Sequence, residues 1–168
     1  MYRGTTSDLA REQASDVVRR VDTTTVDDAL DMDSSATVAQ FRQFLEAGER
    51  GYYAYSGPRV VHRSWVRLGP ARVSTWHEHA SWELRAGQAY VHYCETAAVA
   101  RGQGVFPTVL RTISRELAGE GVREVFIAAT LGNGPSCKAI ERAGFIEVAR
   151  TEVRVRMGIV RERPLARG

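Results

Sequence analysis

Lysine is almost missing from this chain: of 23 basic residues only Lys138 is a lysine, and 22 arginines are scattered among 20 acidic residues. With a net charge of only +3 and no basic arm or face, the chain lacks the concentrated positive charge of nucleic-acid binders, and no nucleic-acid partner is expected. Cysteine is scarce as well. Cys94 and Cys137 stand far apart, with neither a C-x-x-C pair nor a disulfide framework, and both read as small buried thiols. No apolar run approaches the roughly 18 residues of a membrane span, so no membrane partner is expected. The polar opening MYRGTTSDLAREQ also lacks the charged-then-apolar layout of a secretory signal, and the expected location is cytoplasmic. Internal repeats and low-complexity linkers are absent too. What remains, 43% apolar and 26% charged residues, is the composition of one globular domain over residues 1–168, with residues 1–15 as a loose N-terminal arm.

Along the chain, Val17 to Thr24 reads as a short strand. Two short amphipathic helices follow: Val26, Ala29, Leu30 and Met32 form one apolar stripe, and Val38, Phe41, Phe44 and Leu45 another, closed by Gly48. Tyr52–Tyr55 and Val60–Leu68 around Ser56-Gly57-Pro58 give a hairpin signal. Gly69 to Gly87 reads as irregular, with Trp76, His77, His79 and Trp82 giving it an aromatic character. A long strand, Ala89 to Val99, invites a bulge. It is followed by a glycine turn, a helix from Pro107 to about Glu120, an apolar strand Glu124–Thr130, a helix Ser136–Arg142 stopped by Gly144, and two last strands, Phe145–Thr151 and Val153–Val160. The strand–helix–strand unit implies a parallel pair, so the fold class is α/β with a mixed sheet.

The glycine turn, Arg101-Gly102-Gln103-Gly104-Val105-Phe106, lies at the carboxyl end of a strand and at the start of a helix. Gly102 and Gly104 can take backbone angles closed to other residues, and the free N–H groups of the helix start make the turn an anion site, most naturally for phosphate. One strand and one helix later comes Asn133-Gly-Pro-Ser-Cys-Lys-Ala-Ile-Glu-Arg-Ala-Gly-Phe145. Read together, the two segments resemble the GNAT superfamily of acyl-CoA-dependent N-acyltransferases. Arg101 and Gly104 match its pyrophosphate-binding turn, and Asn133, Ser136, Glu141, Gly144 and Phe145 match its later helix.

That resemblance implies a mostly antiparallel mixed sheet with a coenzyme A site at its central parallel unit, and acetyl-CoA as cosubstrate. The backbone around Gln103 to Phe106 would hold the pyrophosphate, and the strand around Cys94 and Thr96 would pair with the pantetheine. A small-molecule primary amine would accept the acetyl group, and the terminal strands would be a place for a homodimer. The chain departs from the family pattern twice. Phe106 and Pro107 make the helix start bulkier, and the position seven residues after Asn133, where many members carry a Tyr acid, is Ile140. Ser136 and Cys137 are the nearby donor candidates.

An attacking amine must lose a proton, so a base is expected. His92 and Glu95 lie on the central strand; His92 should share a face with Cys94 if that strand stays regular, and Glu95 should face the other way unless a bulge rotates it. His62 and Glu83 are weaker candidates. His77-Glu78-His79 offers too few ligands for a metal, and none is expected. Two other functions stay open: an acyl-CoA-binding domain without catalysis, and transfer to an amino sugar or to a peptide or protein N-terminus.

Overall fold

A computed structural model describes residues 1–9, 17–74, 81–156 and 159–165. Its main sheet has seven strands in the order β2 (Val18–Arg20), β3 (Arg50–Ser56), β4 (Arg59–Leu68), β7 (Gln88–Thr96), β8 (Glu124–Ile127), β1 (Tyr2–Thr5) and β9 (Ile146–Glu147). Only β7 and β8 run parallel; every other neighbouring pair is antiparallel. The sheet is therefore mixed and mostly antiparallel, as expected.

Two helices follow the two parallel strands. α3 (Val105–Gly119) turns Val109, Leu110, Ile113 and Leu117 onto one face of the sheet, where they pack with Val66, Val91, Val125 and Ile127. α4 (Gly134–Arg142) adds Ile140 to the same core, and Arg111 Nη1 of α3 donates to the Arg142 carbonyl at 3.3 Å. On the opposite face lies α2 (Ser35–Glu46), whose Ser34 cap accepts from the Thr37 amide at 3.2 Å. Its Val38 and Phe41 pack with Tyr53, Val60 and Trp65, beside a short 3-10 turn at Val26–Asp31.

Three expectations are corrected. The N-terminus is not a loose arm where it is described: Tyr2–Thr5 is an interior strand between β8 and β9, followed by a single turn α1 (Thr6–Leu9). The reason is burial. Tyr2 is 4% exposed in the core, and the Thr6 hydroxyl donates to the Val122 carbonyl at 2.8 Å. The stretch 69–87 is not irregular throughout, because β5 (Ala71–Ser74) and β6 (Ser81–Leu84) form a hairpin that sets Val73, Leu84 and Trp82 against Tyr90 and Phe126. Trp76, His77 and His79 lie outside the described residues. The third correction concerns the bounds of the last strands, read as Phe145–Thr151 and Val153–Val160: after β9 come β10 (Arg150–Arg156) and β11 (Ile159–Leu165), which make a two-stranded sheet of their own, while β1 occupies the place beside β8. No helix among the described residues is long and apolar enough to cross a membrane.

Candidate active site

The site begins where the parallel pair ends. Val91 pairs with Ile127, and beyond that point β8 stops while β7 continues to Thr96, so among the described residues no strand pairs with the β8-facing edge of residues 92–96. At the same point β7 bulges. Its register with β4 slips between the Trp65–His92 and Arg63–Glu95 pairs, and Tyr93 takes a φ of +52, a value that a bulky residue adopts only when its surroundings impose it.

The bulge overturns the expectation that His92 and Cys94 share a face. His92 and Tyr93 both turn toward α2, against Phe44, while Cys94 packs into the α3 side of the sheet. The extra residue in β7 shifts the alternation by one. By the new register Glu95 stands across from Arg63, but its carboxylate is 47% exposed and pairs with Arg101 Nη2 at 2.9 Å.

Beneath the bulge runs a buried polar chain. His62, fully enclosed, places Nδ1 2.7 Å from Thr96 Oγ1 and Nε2 2.8 Å from Ser64 Oγ, and the Ser64 hydroxyl donates to Cys94 Sγ at 3.2 Å. The bonds are satisfied in one direction, with Thr96 donating to Nδ1, the Nε2–H donating to Ser64, and Ser64 donating onward. Burial, aided by the charge of Arg63, pushes His62 down to about 3, so the ring is neutral. Burial likewise pushes the Cys94 thiol up to about 12, and it stays protonated. His62 is thus a structural group, and Cys94 is no nucleophile.

At the carboxyl end of β7 a 3-10 turn (Ala98–Ala100) leads into the glycine turn. Gly102 and Gly104 both have φ +77, and a Cβ at either would meet no protein atom within 4 Å. Glycine is required there by backbone angle alone, and the space above is open to a ligand. The amides of Gly102 through Phe106 donate to no described residue; the first bond of the helix runs from the Thr108 amide to the Gly104 carbonyl at 3.2 Å. A row of free N–H groups at a helix start is an anion cradle. Arg101 Nε donates to the Thr96 carbonyl at 3.0 Å, and Gln103 Nε2 to the Val99 carbonyl at 2.8 Å, fixing the turn to the strand. The bulk of Phe106 is turned inward, its ring stacked on His62 at 5.1 Å, and Pro107 is buried, so neither crowds the cradle.

The second segment forms the start of α4. Asn133 Oδ1 accepts from the Ser136 amide at 3.2 Å, which makes Asn133 a helix cap, and Cys137 Sγ donates to the Thr130 carbonyl at 3.6 Å. Ser136 and Cys137 are half-buried on the first turn. Because α3 and α4 each follow a strand of the parallel pair, both helix starts open at the same end of the sheet.

Across the sheet the reading of the residues missed Glu49, which precedes β3. Its side chain is 3% exposed; Oε2 lies 2.6 Å from His92 Nε2, and Oε1 accepts from Arg67 Nε at 2.8 Å. Burial works against this carboxylate, but the hydrogen bond and charge of His92 and the Arg67 guanidinium outweigh it and hold its pKa below the ordinary range.

The fold that carries these residues has many counterparts among solved structures. Aminoglycoside N-acetyltransferase AAC(6')-Iy in complex with CoA is matched over 83% of this chain and 98% of its own, with a TM-score of 0.63 at 16% identity. AAC(6')-Ig from Acinetobacter haemolyticus is matched over 83% of this chain and 97% of its own, with a TM-score of 0.61 at 17% identity. A GNAT-family acetyltransferase from Colwellia psychrerythraea is matched over 87% of this chain, with a TM-score of 0.64 at 18% identity, and this chain spans about half of it (51%). The chain has the GNAT fold. No protein-family model and no curated protein sequence matches it.

On this GNAT sheet the expected site residues fall into two groups. Cys94, Thr96, Arg101 to Phe106, Asn133 and Ser136 line the carboxyl end of the parallel pair, and His92 stands at its opening on the α2 side. Glu95 and Arg101 are tied to each other. Ile140 is 0% exposed and packed in the core, so the Tyr position of the family pattern is taken up here by core packing. Glu83 is an exposed residue of β6, and His62 is sealed. Among the described residues no group of three His, Cys, Asp or Glu side chains is placed to hold a metal; His77, Glu78 and His79 are outside them.

Proposed function

We propose that this chain is an acetyl-CoA-dependent N-acetyltransferase acting on a primary amine of a small molecule by direct attack in a ternary complex. The observation that carries the reading is the row of unpartnered amides from Gly102 to Phe106 at the end of a strand that has just parted from its parallel neighbour. That row suits a pyrophosphate, and the unpaired edge of residues 92–96 suits the amide-bearing arm of coenzyme A. Bound acetyl-CoA supplies the acyl group as a thioester. The amides of residues 102–106 hold its phosphates, Asn133 and Ser136 shape the α4 side, and the main chain at Cys94 and Thr96 lines the arm. His92 draws the proton from the incoming amine; Glu95, held by Arg101, is less suited to that work.

An amino-sugar acceptor is the second reading, supported by the aminoglycoside N-acetyltransferases among the structural neighbours. Around the bulge, however, Glu49, Asp33 and Glu95 each carry an arginine, Arg67, Arg63 and Arg101. Acids so neutralised favour an acceptor with one cationic centre over a polycation. The test is calorimetric titration with CoA followed by incubation with acetyl-CoA and an amine panel, reading free thiol. No CoA binding refutes the proposal, and binding without thiol release on any amine points to the non-catalytic alternative.

A further inference from the structure

Glu49 sits in the connection between α2 and β3, its amide bonded to the Phe44 carbonyl at 2.9 Å, so the backbone fixes where its side chain starts. The carboxylate divides its oxygens. Oε1 is held by Arg67 and Oε2 by His92 Nε2 at 2.6 Å. The His92 ring is gripped from the other directions as well: it lies parallel to Tyr90 at 5.7 Å and 5°, and meets the rings of Phe44 and Tyr93 edge-on at 5.3 Å and 5.9 Å. Its side chain is nevertheless 14% exposed, and Nδ1 has no partner among the described residues. A buried carboxylate on Nε2 assigns the proton to that nitrogen and leaves the lone pair on Nδ1.

We propose that Glu49 is a positioning residue for amine deprotonation, holding the partly exposed His92 ring by Nε2 so that Nδ1 stays unbonded, and stabilising the imidazolium that forms there. This rests on the reading of His92 as the base. In the step it serves, the amine N–H bond breaks and its proton passes to Nδ1. The nitrogen–carbon bond forms as the acyl carbon–sulfur bond breaks, and the thiolate leaves to take a proton from solvent. A carboxylate on the far nitrogen offsets the positive charge at the moment it appears, and its alignment keeps the ring from turning its protonated edge to the amine. Arg67 keeps Glu49 ionised and in place. The other ionisable groups about the ring are Tyr90 and Tyr93 of its own strand, with Arg63 over the Tyr93 ring at 5.6 Å; none of these touches Nδ1.

Two measurements test the assignment. Long-range proton–nitrogen NMR of the uniformly labelled protein is expected to show His92 protonated on Nε2; an Nδ1–H tautomer overturns the proposal, whatever the enzyme does with amines. In steady-state assays, Glu49→Gln is expected to lower kcat ten- to a hundredfold with CoA affinity unchanged. Glu49→Asp, which keeps the charge, is expected to restore kcat in part, and it serves as the probe if Glu49→Gln fails to fold. A Glu49 variant that binds CoA and retains the wild-type kcat overturns the proposal. An inactive wild type that still binds CoA and shows the Nε2–H tautomer would instead remove the transferase reading and leave the Glu49–His92 pairing intact.

Discussion

Acidification below pH 6.5 is expected to weaken this fold through the buried side chain of His62, before the carboxylates protonate. The ring is fully buried, both nitrogens are bonded to hydroxyls at 2.7 and 2.8 Å, and one face is covered by Phe106 at 5.1 Å. Burial and the Arg63 charge bring its pKa from 6.5 to about 3, so the folded protein keeps the ring neutral while the unfolded chain protonates it near 6.5. Because the folded-state value is the lower one, the unfolded state binds more protons, and stability present above pH 6.5 is lost as the pH falls toward 3. Each pH unit in that window is worth about 1.4 kcal/mol, so two units cost about 2 to 3 kcal/mol, against a total of roughly 5–15 kcal/mol for a typical domain. Denaturant unfolding at pH 7.5, 6.5, 5.5 and 4.5 should show that loss in the wild type. His62→Gln, which can still donate to Ser64 and accept from Thr96 but does not titrate, will be less stable at pH 7.5 and should have a flatter profile. Parallel profiles for the two proteins would refute the reasoning, because the carboxylates they share would then explain the whole acid sensitivity.

Other changes probe the cradle and the core. Gly104→Ala imposes φ +77 on an L-residue but meets no protein atom within 4 Å, so unfolding should register a cost of only about 1–2 kcal/mol while CoA affinity, measured by calorimetry, falls at least tenfold. Tyr2→Ala empties a core position in the interior strand and is expected to cost about 3–5 kcal/mol in chemical denaturation; a cost under about 1 kcal/mol would mean that the strand is not held there. Ile140→Tyr returns the family's usual residue to a position with 0% exposure, so it should destabilise by about 1–3 kcal/mol without raising the rate of thiol release.

What could be read from the residues was what local geometry dictates. The glycine turn, the Asn133 cap and the stripes of α2 and α3 are each written within a dozen residues, in left-handed glycines, capping side chains and a 3.6-residue period. What escaped was non-local. β1 is four residues long, and its partners lie about 120 positions away, as in the pairing of Thr5 with Glu124, so nothing near the N-terminus announces a strand. The bulge itself was expected from the length of the strand, but its position was not legible: it is carried by a tyrosine with positive φ, where sequence rules look for glycine or asparagine. One extra residue turned Tyr93 to the α2 face beside His92 and sent Cys94 to the other, and on the α2 face a loop carboxylate, Glu49, reaches His92. Glu49 had no motif to mark it, since a glutamate after a helix-ending glycine is ordinarily solvated.

The absent family tyrosine weighs less on the proposed chemistry than it first suggests. An alkyl ammonium of the lysine kind has a pKa near 10.4, so at neutral pH the acceptor must shed a proton before its nitrogen is a nucleophile. A thiol ionises near 8.5, about two units lower, so the leaving sulfur can depart as a thiolate and be protonated by water afterwards. Of the two proton-handling tasks, the base is therefore the more demanding, and the acid contributes only a modest share of the barrier. The chain is built accordingly. Position 140 is spent on core packing at the root of α4, while the polar side chains on the opposite face, Glu49 and Arg67, are arranged around His92 at the place where β7 leaves β8.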